Sequence, residues 1–115
     1  PPAKAAAGAH EVLIAGSRRW ALMHENTGPE PGLDELLARL APVDLVLVEG
    51  FKRAHIPKLE IHRPSHGRPL LHPEDPNIVA VACDAPVATS LPVLDINNPA
   101  AIAEFIMCHL RLAAR

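Results

Sequence analysis

The run Glu11-Val-Leu-Ile-Ala-Gly16 is short, apolar and closed by glycine, which predicts a buried strand. Leu33, Leu36, Leu37 and Leu40 recur at i, i+3, i+4 and i+7, the stripe of a core-facing helix. Gly32 before it and Pro42 after it bound that helix. Asp44-Leu-Val-Leu-Val-Glu49 is a second apolar run, closed by Gly50. Residues 11 to 49 therefore predict strand, helix, strand. A helical crossover would make the two strands parallel, and their apolar character suits burial on both faces.

Lys58-Leu-Glu-Ile-His62 alternates polar and apolar, as a half-buried strand near an edge does. Residues 64 to 77 follow as a loop containing Pro64, Pro69, Pro73 and Pro76. Such a length is unusual for a plain connection and marks a segment that is functional or mobile. Ile78-Val-Ala-Val-Ala-Cys83 predicts a buried strand, and Leu91 to Ile96 a short one with Pro92 at its start. Asn98 caps a last helix with Pro99 in its first turn, and Ile102, Phe105, Ile106 and Leu110 form its inward face. The whole is one α/β domain over residues 1–115, a mostly parallel sheet with flanking helices. Ligands in such sheets sit at the carboxyl ends of the strands, here residues 16–19, 49–52, 83–84 and 95–97.

Composition narrows the classes. The 115 residues are 49% hydrophobic, too rich for disorder, and a chain of this length buries between about 60% and 70% of its unfolded surface. A formal net charge of −2 leaves no electrostatic footprint for nucleic acid. With only Trp20, Phe51 and Phe105 as aromatic residues, platforms for base stacking are also scarce. There is no polybasic run for a membrane surface and no apolar run near the roughly 20 residues of a spanning helix. Pro1 to Gly8 is Ala-rich and does not read as a signal peptide. Cys83 and Cys108 make no disulfide framework and read as buried thiols of a cytoplasmic protein.

Three constellations carry candidate chemistry. Four apolar residues ending in Glu49, then Gly50-Phe51-Lys52, have the form of a Walker B tip, where a rigid carboxylate meets a nucleotide's magnesium. The alternative is a solvated strand end. Ser17, Arg18 and Arg19 follow another strand tip and suit phosphate or carboxylate recognition, or else form a charged loop with Trp20 packed on the core. His55, His62, His66 and His72 allow a histidine-based metal enzyme, although no pair shows the spacing of a zinc motif. Glycines stand at positions 8, 16, 28, 32, 50 and 67, and none precedes a lysine, so the sequence holds no G-x-x-x-x-G-K-[ST] phosphate cradle.

The segments Glu11-Val-Leu-Ile-Ala-Gly-Ser-Arg-Arg-Trp-Ala-Leu-Met-His-Glu25, Asp44-Leu-Val-Leu-Val-Glu-Gly-Phe-Lys52 and Ile56-Pro-Lys-Leu-Glu-Ile-His-Arg63 together resemble the molybdopterin-guanine dinucleotide biosynthesis protein B family (MobB). Asn77 to Asp84 and Leu91 to Asn97 match the family's later strands in order. The resemblance implies a P-loop NTPase-like fold lacking its first strand and P-loop, so that these residues correspond to the C-terminal two-thirds of the family's domain. It implies GTP and magnesium as cofactors, at most weak GTPase activity, and a homodimer. It also implies assistance to a MobA-type guanylyltransferase, with molybdopterin as a further partner. On this resemblance Glu49 takes the catalytic and magnesium role, directly or through water. Ser17, Arg18, Arg19, Gly50 and Lys52 take nucleotide-contact roles, and Asp84 stands where related NTPases read the base.

A P-loop's nest of N–H groups and its lysine neutralise most of a triphosphate's charge. Arg18, Arg19 and Lys52 lack that nest geometry, so we expect weak or absent GTP binding by this chain. Three readings follow: a piece of a longer protein, a short homologue, or a P-loop supplied by another polypeptide. A non-catalytic module that scaffolds the guanylyltransferase is the rival function.

Overall fold

The computed structural model describes residues 7–112. They form two compact units, one ending at Val43 and one starting at Asp44.

In the first unit, β1 (Glu11–Ala15) pairs antiparallel with β2 (Trp20–His24), with Val12 opposite Met23, Leu13 opposite Leu22 and Ala15 opposite Trp20. The Gly16 N–H donates to the Arg19 carbonyl at 2.8 Å, leaving Ser17 and Arg18 as the turn. The first apolar run is therefore one arm of a hairpin, not the opening strand of a parallel crossover. A partner a few residues away closes a far smaller loop than a helical crossover, so local pairing is entropically cheap. Only Val12 is buried in this ribbon, and Trp20 is 67% exposed, not packed on a core. Helix α1 (Leu33–Leu37) is shorter than the leucine stripe. After it the Leu40 N–H bonds to the Leu37 carbonyl at 3.1 Å, a tightened i→i+3 turn, and Leu36 and Leu40 are exposed.

In the second unit, Asp44 to Glu49 belongs to no strand, and Leu47 is 76% exposed. The expected parallel partner is absent among the described residues, since β1 pairs with β2 and this run pairs with no strand. The sheet consists of β3 (Lys58–His62), β4 (Ile78–Cys83) and β5 (Val93–Asp95), all parallel, with β4 central. The parallel sheet and its edge strand β3 match the sequence expectation. β4 is apolar throughout and nearly all buried; Ala80, Val81 and Ala82 are wholly so. Helix α2 (Pro99–His109) lies against β5, its start fixed by the Asn98 side chain accepting from the Ala101 N–H at 3.1 Å. Ile102, Phe105 and Ile106 are half-buried, while Leu110 is exposed. Cys83 is buried as expected, but Cys108 is exposed: two positions beyond Ile106, it lies off the apolar stripe of α2.

The connection from β3 to β4 holds two single 3-10 turns, Pro64–His66 and His72–Glu74, and no α-helix. Buried Glu60 fastens it, accepting the Leu71 N–H at 2.7 Å and the His72 N–H at 2.9 Å. Lys58 pairs with Asp75 at 2.8 Å, and the His72 ring meets the Thr89 hydroxyl at 2.9 Å. Both oxygens of Glu60 thereby have hydrogen-bond partners, which a polar group in so buried a place needs.

Candidate functional site

The candidate residues fall into three places. Ser17 and Arg18 form the hairpin turn and Arg19 closes it, all exposed. Their side chains make no hydrogen bond among the described residues, so they stand as solvated donors.

Glu49, Gly50 and Lys52 sit together in the second unit, all exposed. Gly50 has φ 83° and Phe51 φ 54°, two successive left-handed residues that swing the chain away directly after Glu49. Glycine meets such a φ without steric cost; Phe51 pays about 1 kcal/mol or more. Lys58 holds this turn from below: its ammonium donates to the Lys52 carbonyl and to the Asp75 carboxylate. The Lys58 hydrogen bond and the Asn77 N–H keep the Asp75 carboxyl below its usual range. Glu49 and the Lys52 ammonium make no ion pair among the described residues. Glu49 also tips no strand, so the rigidity expected of a Walker B carboxylate does not come from a sheet here.

Asp84 follows the last residue of β4, and Arg63 the last residue of β3. The Arg63 guanidinium donates to the Asp84 carboxylate at 2.9 Å, joining the ends of two neighbouring strands. Asp84 therefore has a cationic partner of its own, not a free carboxylate waiting for a base. Exposed pairs of this kind stabilise by at most about 1 kcal/mol, so the chief effect is to fix where the guanidinium points. Sequence reasoning had no signal for this partnership, since 21 positions separate the residues.

Among the described residues, no group of three or more His, Cys, Asp or Glu side chains stands close enough to hold a metal ion. His72 is turned to Thr89. Glu49 thus belongs to no such group among the described residues, and the sequence contains no G-x-x-x-x-G-K-[ST] run. The residues present do not fit a complete seat for magnesium and a triphosphate. No helix among them is long and apolar enough to cross a membrane.

A three-stranded parallel sheet with a flanking helix and charged groups at its strand ends defines the class as an α/β protein, consistent with a P-loop NTPase-like fold. The chain belongs to the molybdopterin guanine dinucleotide synthesis protein B family, whose model matches residues 3–84. It is 43% identical over 103 residues to a molybdopterin-guanine dinucleotide biosynthesis adapter protein of Haemophilus influenzae, covering 87% of this chain and 56% of that protein. It is 38% identical over 105 residues to the adapter protein of the same description from Escherichia coli, covering 88% and 60%. The chain thus spans well under two-thirds of each relative's length. All the candidate residues, from Ser17 to Asp84, lie within the matched stretch.

Proposed function

We propose that this chain is an accessory component of molybdopterin guanine dinucleotide formation that acts by holding the guanylyltransferase, with GTP binding weak or absent. One observation carries the reading: a chain of the adapter family presents its candidate nucleotide residues without a seat for the phosphates. Glu49 stands outside any strand, and Asp84 is taken by Arg63. Family membership supports the pathway. In this reading the chain works in the cytoplasm as a homodimer, and molybdopterin reaches it together with the partner enzyme. Any residual nucleotide contact falls to Ser17, Arg18, Arg19, Gly50 and Lys52, with Glu49 toward magnesium.

The test is capture of purified guanylyltransferase by the immobilised chain, with and without GTP and magnesium. We expect capture that does not depend on GTP, and an equilibrium titration showing no micromolar GTP affinity. Absence of capture sinks the adapter reading. Micromolar binding that prefers GTP over ATP and is lost in Glu49→Gln overturns the weak-binding part, and means that a phosphate site is built without a P-loop.

A further inference from the structure

The stretch from Ile61 to Pro73 carries Arg63, Arg68 and three histidines, and no acidic residue. Its first half is a tight turn. The His66 N–H donates to the Arg63 carbonyl at 2.9 Å and the Gly67 N–H to the Pro64 carbonyl at 3.0 Å, and Gly67 reverses the chain at φ 71°. Turns closed in this way bring the Cα atoms of Arg63 and His66, and of Pro64 and Gly67, to within about 7 Å, and Arg68 follows Gly67 directly. Residues 63 to 68 are all exposed. The stretch is anchored at both ends, by β3 on one side and by the two N–H bonds to Glu60 on the other. Asp84 engages one N–H group of Arg63, which leaves the rest of the guanidinium fork open. Arg68 and His66 use their side chains in no hydrogen bond among the described residues.

We propose that the turn from Arg63 to Arg68 is an anion site of its own, which takes the phosphate groups of a small phosphorylated ligand. Arg63 and Arg68 supply the two forks, Ser65 a hydroxyl, and Asp84 acts as a positioning residue. Guanidinium forks match the paired oxygens of a phosphate, whereas a lysine presents only a point charge. Asp84 subtracts one charge from the site, so the attraction is moderate and falls with added salt. This goes beyond the adapter reading and uses none of the residues assigned there to nucleotide contact.

Calorimetric titration of the whole chain with inorganic pyrophosphate, at low salt and without magnesium, tests it. We expect saturable binding, with Arg63→Ala and Arg68→Ala each weakening it about tenfold. Arg63→Lys should recover only part of the loss, a signature that a purely structural role of Arg63 would not give. Arg39→Ala, at an exposed position in the first unit, should bind as the unaltered chain does. No binding by the unaltered chain, unchanged affinity in Arg68→Ala, or an equal loss in Arg39→Ala would overturn the proposal. Each of these results leaves the adapter reading standing, because that reading is judged by capture of the guanylyltransferase.

Discussion

The hairpin strands and β4 are all largely apolar stretches, with opposite fates. Of the ten residues in β1 and β2 only Val12 is buried, and Leu13, Ile14, Trp20 and Leu22 are half exposed or more. In β4 five of six residues are buried, and Val81 is wholly so. Hydrophobicity does not separate them; neighbours do. β4 has a strand on each side, whereas each hairpin strand has one partner. A strand gains its burial from pairing on both edges and cover on both faces, and a lone two-stranded ribbon gets neither. The free energy of about 25 cal/mol per Å² of apolar surface is realised only where the surface actually leaves water.

Matched substitutions give the widest test of this contrast. Val81→Asp places a charge where no water reaches and should abolish cooperative folding of the second unit, read by far-UV circular dichroism and urea denaturation. Leu13→Asp, at a position 60% exposed, should cost less than about 1 kcal/mol. Equal effects at the two sites would mean that the hairpin is covered in solution.

Next in size is Glu60→Ala. It strands the N–H groups of Leu71 and His72 in a part-buried place and should cost about 2–4 kcal/mol in chemical denaturation. A loss near zero would show that water replaces the carboxylate, and that the loop between β3 and β4 is not fastened through it.

The smallest effect concerns Asp75. Its carboxyl is held below 3.8 in the folded chain, chiefly by the Lys58 hydrogen bond. A group depressed in this way adds stability that is fully present above its unfolded pKa. That stability is lost as the pH falls below about 4 and through the lowered folded value. The urea midpoint should therefore drop over this acid window, and Lys58→Met should flatten the drop. A variant with an unchanged acid profile would remove Lys58 as the cause.

The same contrast explains which residues a linear reading could find. The cap at Asn98 rests on a contact three residues away, and β4 on an unbroken apolar run, so both were legible. Glu60 was not. Alternation in Lys58 to His62 implies that the leucine and isoleucine face inward, yet Glu60 is 6% exposed and Ile61 is 61% exposed. What buries Glu60 is a loop from eleven and twelve positions further on, which a local pattern does not contain. The strand-end acids and bases were legible as residue types. The partnership of Asp84 with Arg63 was not, because it exists only once β3 and β4 lie side by side.

The amino-acid sequence by itself determined the family, the absence of a G-x-x-x-x-G-K-[ST] run, the central strand, the edge strand and the capped last helix. These depend on composition and near-neighbour spacing, which are properties of a line. Tertiary structure alone decided that the first apolar run folds back as a hairpin and that Asp44 to Glu49 stays outside any strand. It also decided that a carboxylate, and not an isoleucine, fills the inner side of β3. Strand pairing and burial depend on which surfaces are available to meet, and an apolar run carries no record of its partner.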